Sequence, residues 1–158
     1  PVTLVNAADV NINDYLLALW QVPEPVLAAF NVAGWTYCID FDYMGGLSKK
    51  LNMSCIGATN YSQKTIYLSE ASATLHEFGH FLDWMLGFPA EYEQLFRAEA
   101  SAAPLRNYAK TDSREYFADC FAYWVKYAEN ANAISLLQEC APMKYRYMED
   151  LMRIANRL

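Results

Sequence analysis

The sequence predicts an α+β fold that is mostly helical, with one small antiparallel sheet before a central helix. Two short strand-like runs joined by a polar turn predict the sheet, and a series of stretches with helical apolar spacing follows them. The 158 residues are 54% apolar and 19% charged, which excludes a disordered or low-complexity chain. We therefore expect one domain over residues 1–158, with helices and the sheet in 1–69 and a helical half in 70–158.

The first half alternates short helices with short strands. Pro23 and Pro25 end one helix and begin the next, and Gly34 closes that second helix. The glycine pair Gly45-Gly46 indicates a loop. In chain order the expected elements are helix, helix, strand, loop, strand and strand, over residues 13–20, 24–32, 35–41, 42–50, 54–60 and 64–69.

The second half is predicted to be helical. Gly87 and Pro89 end the central helix, and Pro104 ends the helix after it. A polar loop is expected at residues 105–110. The five helices are expected over residues 70–86, 90–102, 112–127, 130–140 and 143–157.

The charge balance limits the classes of partner, and the start of the chain bears on processing. Lys and Arg number 12 and Asp and Glu 18, so the net charge is −6, with no basic run. This balance argues against nucleic acid, and no apolar run reaches the roughly 18 residues that span a bilayer, so we expect neither nucleic acid nor a membrane as partner. Because the chain begins at Pro1 without a basic segment, we expect a processed fragment whose signal peptide lies outside it.

Four cysteines leave the redox state open: Cys38, Cys55, Cys120 and Cys140. They allow two disulfides in any of three connectivities, or four free buried thiols. No pair has CxxC spacing, so a cysteine zinc site is not expected.

The two histidines of the chain lie in one window, His76-Glu77-Phe78-Gly79-His80, on the expected central helix. Residues i and i+4 project from one helix face, so both imidazoles can bind one Zn²⁺. Glu77 is rotated off that axis and can reach water at the metal, as a general base must. The plain alternative is a helix with two incidental histidines.

A catalytic zinc needs a third protein ligand, and no histidine remains to supply it. Glu115, near the start of the next apolar helix, is the preferred candidate. Asp119 shares its face and can accept a hydrogen bond from a zinc-bound histidine, which we expect to be His76. Glu115 also fits a capping box with Asp112 as N-cap. Asp83, three residues after His80, is the alternative third ligand. It would have to reach back along its own helix, so it is better placed to support the ligands or to pack against another helix.

The residues from His76 to Trp124 resemble a known family. The HEFGH motif, followed by Asp83 and then by YAKTDSREYFADCF from Tyr108 to Phe121, resembles the catalytic domain of anthrax lethal factor. It is also similar to the bacterial secreted Pro-Pro endopeptidases. A Tyr seven residues before a Glu, in a Glu-aromatic-Phe-Ala-acid pattern, is the more specific part. Lethal factor has Glu where this chain has the shorter Asp119.

The resemblance implies a zincin-like metallopeptidase with one Zn²⁺ per chain, bound by His76, His80 and Glu115. It implies that Glu77 is the base and that Tyr108 donates its phenol hydrogen to the oxyanion; the residues alone would rank Tyr108 as a surface or packing residue. It also implies a secreted, bacterial protein. Asp119 is a departure from the family pattern. The targeting domains of the toxin have no counterpart within these 158 residues, so we do not expect cell entry.

We expect a monomeric endopeptidase that binds a protein or peptide in extended form. The strand at residues 64–69 is either a sheet edge that pairs with substrate or an interior strand. Its alternation puts Ile66 and Leu68 on one face. Two other functions stay open: a non-catalytic, zinc-stabilised peptide-binding module derived from a peptidase, and a helical interaction domain without metal. The presence of Glu77 favours the enzyme, since a site without catalytic activity has no need of a general base.

Overall fold

A four-stranded sheet and the helix after it organise the part of the chain that the structure, a computed structural model, describes: residues 2–88, 90–99, 101 and 105–127. The α+β class predicted from the sequence is confirmed. The strands are β1 (Thr3–Asn6), β2 (Thr36–Ile39), β3 (Gly57–Asn60) and β4 (Thr65–Leu68). The helices are α1 (Asn13–Gln21), α2 (Glu24–Val32), α3 (Phe41–Leu51), α4 (Thr74–Met85), α5 (Glu91–Glu99) and α6 (Ser113–Tyr127), with short 3-10 turns at Ala71–Ala73 and Asn107–Lys110.

The sheet is mixed, so the prediction of an antiparallel sheet was wrong. Its strand order is β1-β2-β4-β3, and β2 pairs in parallel with both β1 and β4. Only the hairpin of β3 and β4 is antiparallel. The reason is topological. Helices α1 and α2 connect β1 to β2, and such a crossover returns the chain in the same direction. The hairpin was visible because its strands are neighbours in sequence.

Strand β4 lies inside the sheet, between β2 and β3. The alternative that made residues 64–69 a sheet edge was therefore wrong. Among the described strands the edges are β1 and β3. The predicted alternation of β4 is confirmed, because Ile66 and Leu68 are fully buried while Thr65 and Tyr67 are only partly so.

Helix α3 replaces the loop that the glycine pair had suggested over residues 42–50. The Asp40 side chain caps it by accepting a hydrogen bond from the backbone N–H of Tyr43 at 2.9 Å. Lys49 and Lys50 in its last turn suit the negative end of the helix dipole. Asn52, with φ of 52°, takes the left-handed conformation that ends the helix. A capped start and end outweigh the helix cost of two glycines.

Helix α4 forms the centre of the core, between the sheet and α6. Its apolar side enters an aromatic cluster in which the Phe30 ring lies 4.8 Å from that of Phe78 and 5.1 Å from that of Phe81. Trp35 packs edge-on against Phe81 at 5.1 Å. These rings are fully or almost fully buried, so α4 is held in a fixed rotation. That rotation decides which α4 side chains face α6 and the cleft.

Cys38, Cys55 and Cys120 are free thiols, and Cys140 lies outside the described residues. The helices expected at 130–140 and 143–157 also lie outside them. Among the helices that the structure describes, none combines the length and apolar character that crossing a bilayer requires.

Candidate metal centre

Helix α4 presents the two histidines from one face, one turn apart, as the spacing predicted. Their Nε2 atoms lie 3.1 Å from each other. His80 is buried and the His76 side chain is nearly so, with 11% exposed. Two ring nitrogens this close require a proton or a metal ion between them, since two lone pairs repel each other.

Helix α6 brings Glu115 to the same point. Its Oε2 lies 2.8 Å from His76 Nε2 and its Oε1 lies 3.2 Å from His80 Nε2. The backbone N–H of Glu115 donates to Asp112 Oδ1 at 2.8 Å, so Asp112 does cap this helix. The capping interpretation and the site interpretation are therefore compatible: the backbone of Glu115 serves the cap, while its carboxylate faces the histidines.

The contact between α4 and α6 is close because Gly79 has no side chain. A Cβ on Gly79 would lie 2.7 Å from the Cα and 2.8 Å from the carbonyl oxygen of Ala118. The two helices therefore touch backbone to backbone one residue before His80 and three after Glu115. This approach brings the carboxylate within reach of both imidazoles.

His76, His80 and Glu115 fit a zinc ion. Their ligand atoms all lie within 4.8 Å of one another, and they are the two nitrogens and the oxygen of a His₂Glu set. A tetrahedral zinc with bonds of 2.0–2.1 Å separates its ligand atoms by about 3.3 Å, close to the Nε2–Nε2 distance. In addition, Glu115 Oε2 is buried and lies 2.8 Å from His76 Nε2, so it faces the point where the ion would bind. The rival Asp83 is buried on α4 but is not part of this group of ligand atoms.

Asp119 and Arg106 hold the back of the His76 ring. His76 Nδ1 pairs with Asp119 Oδ1, which leaves Nε2 facing Glu115. Arg106 binds the same carboxylate through two donors, from Nε to Oδ2 at 2.6 Å and from Nη2 to Oδ1 at 3.0 Å. The shorter Asp119 therefore reaches the histidine, and a bidentate guanidinium fixes it.

The charges of the site are strongly coupled. Burial opposes protonation of His76, but its hydrogen bonds with Asp119 and Glu115 outweigh burial and raise its pKa to about 9. Burial also opposes ionisation of Glu115, yet its hydrogen bonds with the two histidines hold its pKa well below the usual range. As long as no metal is bound, a proton on the histidines balances the carboxylate.

Glu77 lies in the wall of the cleft, outside the group of ligand atoms. It is 5% exposed, and burial raises its pKa, although the two histidines and a hydrogen bond from Thr59 counteract that effect. Thr59 Oγ1 donates to Glu77 Oε2 at 2.8 Å. A buried carboxylate with a raised pKa and a fixed orientation has the properties of a general base.

Tyr108 lies on the 3-10 turn before α6 and lines the cleft. Its ring centroid is 6.0 Å from that of His76. Partial burial and the negative charges of Glu115 and Glu77 raise its pKa to about 12. The phenol thus stays protonated at neutral pH and remains a donor. The Arg106 guanidinium packs over its ring at 4.9 Å.

The structure thus brings together His76, Glu77, His80, Tyr108, Glu115 and Asp119. Sequence reasoning missed Arg106 and Thr59. Nothing in the polar segment singled out Arg106. For Thr59, the nearby Gly57 was a usable signal, since a glycine inside a strand pattern marks a close approach of another group.

A cleft of about 580 Å³ opens beside these residues. Its lining comes from residues 53–56 and from Gly57 at the start of β3, from His76 and Glu77 of α4, and from α6 and the residues before it. Its apolar lining includes Met53, Ile56, Leu105 and Tyr123.

Comparisons with known proteins bear on the family and the fold of this chain. A family model described as "Anthrax toxin lethal factor, N- and C-terminal domain" matches residues 41–151, more than half of the chain. No curated protein sequence matches in a sequence search. Among solved structures, the Pro-Pro endopeptidase PPEP-2 from Paenibacillus alvei is similar, with a TM-score of 0.69 and 17% identity over 94% of this chain and 96% of that chain. That likeness shows a shared fold, and the matched family model shows that this chain belongs to the anthrax toxin lethal factor N- and C-terminal domain family.

Proposed function

We propose that this chain is a zinc-dependent endopeptidase. The observation that carries the proposal is the convergence of His76, His80 and Glu115, with His76 and the buried Glu77 lining an open cleft. Membership in the lethal factor family supports a peptidase function, and the endopeptidase name of the similar structure supports internal rather than terminal cleavage.

In this proposal His76, His80 and Glu115 hold one zinc ion. Asp119 fixes the His76 ring so that Nε2 keeps its lone pair for the ion, and Arg106 keeps Asp119 in place. Asp83, buried on the same helix as the histidines, supports the site from behind. When bound, the ion would supply a water molecule acidified to a near-neutral pKa and a Lewis acid for the peptide carbonyl.

Glu77 transfers the proton, and Tyr108 stabilises the negative charge that develops on the carbonyl oxygen. Glu77 accepts the proton of the attacking water and passes it to the leaving amine, for which its raised pKa is suited. The Tyr108 phenol donates a hydrogen bond to the carbonyl oxygen as that oxygen becomes negative. The position of its ring, 6.0 Å from that of His76, supports this role.

We further propose that the substrate binds in extended form along β3. Among the described strands, β3 is the edge next to the cleft, so its free backbone groups can pair with a peptide strand. The substrate edge, for which residues 64–69 were one of two alternatives, is thus proposed at residues 57–60. The preference of the similar protein for Pro-Pro sequences is not carried over, because the two chains are only 17% identical.

The setting is proposed from the resemblance. We propose a secreted bacterial protein that acts as a monomer on protein or peptide, without nucleic acid or membrane as partner. The sequence 1–158 would form the single catalytic domain.

The test is metal analysis followed by cleavage of a peptide library. We expect one zinc per chain at neutral pH and cleavage at internal peptide bonds, abolished by a chelator and restored by zinc. A chain that binds zinc and peptides but cleaves nothing would be the non-catalytic module instead. A chain without zinc would contradict both.

A further inference from the structure

The edge strand β3 makes a close contact with Glu77 that the zinc motif does not require. The hydroxyl of Thr59 lies 2.8 Å from Glu77 Oε2 and 3.3 Å from the Glu77 backbone oxygen. A hydroxyl has one hydrogen to give, so the shorter bond to the carboxylate takes most of it.

Gly57, two residues earlier on the same strand, bounds the other side of the carboxylate. A Cβ on Gly57 would lie 2.9 Å from Glu77 Cγ, 3.1 Å from Glu77 Oε1 and 2.8 Å from the Cβ of Ala73. The strand backbone therefore lies directly against the Glu77 side chain, and any larger residue at 57 would displace it. Successive odd positions of β3 share one face, so Gly57 and Thr59 act on Glu77 together.

We propose that Thr59 is a positioning residue that holds the Glu77 carboxylate for proton transfer, with Gly57 providing the room. This inference rests on the proposed function, because it gives Glu77 its role as base. The hydroxyl fixes Oε2, so Oε1 alone has to face the attacking water. The strand that we propose to pair with substrate is then also the strand that aims the base.

This arrangement couples substrate binding to proton transfer through one rigid element. A glutamate carboxylate on its flexible side-chain torsions would sample several orientations, and small misplacements of a catalytic group are costly. Thr59 removes that freedom with a charge-assisted, partly buried hydrogen bond to the buried Glu77 carboxylate, and such bonds strengthen away from water.

The kinetic test compares Thr59→Val, which keeps the shape and removes the donor, with Thr59→Ser, which keeps the donor. We expect Thr59→Val to lower kcat about tenfold while KM and zinc affinity stay within about twofold. Thr59→Ser should restore kcat to within about threefold of the parent. An unchanged kcat in Thr59→Val, a loss explained by zinc affinity, or failure of the serine variant to restore kcat would overturn the proposal.

A second measurement does not depend on hydrolysis. We would measure unfolding equilibria of the full chain, in a fixed excess of zinc, for Thr59→Val, Glu77→Ala and the double variant. Loss of the donor should lower the equilibrium constant for folding about tenfold in the Glu77 background and less than about threefold in the Glu77→Ala background. The matched control is Thr65→Val on β4, whose hydroxyl bonds to the Gln63 carbonyl, and which should cost the same in both backgrounds.

The two tests separate the failures. If Thr59→Val lowers the folding equilibrium constant equally with Glu77 and with Ala at position 77, Thr59 does not position Glu77. That conclusion holds whether or not the chain hydrolyses peptides. If the unfolding measurements show that Thr59 and Glu77 are coupled but the chain hydrolyses no peptide, the proposed function is overturned. The contact then has no catalytic role.

Discussion

Gly79 of α4 lies against Ala118 of α6 so closely that a Cβ on the glycine would be 2.7 Å from the alanine Cα. Both residues are internal to the two motifs that contain the proposed zinc ligands. The contact explains why a glycine, a poor helix former, occurs in the middle of α4. It also explains why a small residue is needed where α4 meets α6: Glu115 and Asp119 of α6 have to reach the histidines of α4.

Gly79→Ala should therefore damage the zinc site from a distance. The added methyl has to push α6 away, and overpacking of this kind costs about 1–3 kcal/mol of unfolding free energy. Chemical denaturation and zinc affinity, measured with a competing chelator, check both effects. The control is Gly45→Ala on α3, where a Cβ meets nothing within 4 Å; it should gain about 0.5–1 kcal/mol. A Gly79→Ala chain as stable as the parent would contradict the contact.

Glu115 and Asp112 allow the two roles of the α6 start to be separated. Glu115→Ala should weaken zinc affinity about 10-fold or more, because the carboxylate nearest both histidines is lost. Asp112→Ala should instead cost about 1 kcal/mol of stability through the lost cap and leave zinc affinity nearly intact. Unchanged zinc affinity in Glu115→Ala would point to Asp83 as the third ligand.

The zinc affinity should depend on pH through His76. Its pKa of about 9 means that the metal-free ring is protonated at neutral pH, so zinc has to displace that proton. We expect the affinity to fall about tenfold per unit from pH 9 to pH 7. A competition titration at several pH values checks this, and a flat profile would contradict it. Asp119→Asn, which weakens the partner of the charged ring, should move the transition to lower pH.

The stability of the metal-free chain should change in the opposite direction. The pKa of His76 is raised above its ordinary value of 6.5, so the folded state binds the proton more tightly than the unfolded state does. That contribution is fully present below pH 6.5 and is lost as the pH rises through about 9. Chemical denaturation with a chelator present, from pH 6 to 9, would reveal the loss, and stability that increases over this range would contradict it.

Tyr108→Phe should depress turnover and little else. Removal of one donor to an oxyanion costs roughly 100-fold in kcat. The ring is 40% exposed, so folding and zinc content should be nearly unchanged. Steady-state kinetics with metal analysis checks this, with Tyr67→Phe as the control, because the Tyr67 hydroxyl bonds to Gln63 outside the site. A loss of folding in Tyr108→Phe would make Tyr108 a structural residue.

Local patterns predicted the elements that carry the site. The spacing of His76 and His80 placed them on one face of α4, and the pairing of Glu115 with Asp119 placed both on one face of α6. These are properties of a helix, which depends on residues close in sequence. The resemblance singled out Tyr108, which the residues alone had left as one tyrosine among twelve.

Contacts between residues that are far apart in the chain could not be predicted from the sequence. Strand β1 forms only because it pairs in parallel with β2, about 30 residues away, and its four residues carry no distinctive pattern. The position of β4 inside the sheet follows from a second parallel pairing, in which β4 pairs with β2. Arg106 is an ordinary surface arginine until α6 brings Asp119 to it, and Thr59 an ordinary strand threonine until α4 packs on β3. Helix α3 was missed for a different reason, because two glycines concealed a well-capped helix.

The most direct test of the account compares zinc-loaded parent and Glu77→Gln chains on one peptide library, with cleavage sites read by mass spectrometry. We expect both to hold one zinc per chain, internal cleavage by the parent, and a loss of at least about 100-fold in Glu77→Gln. Cleavage by Glu77→Gln at the parental rate, or none by the zinc-loaded parent, would contradict a zinc endopeptidase with Glu77 as its base.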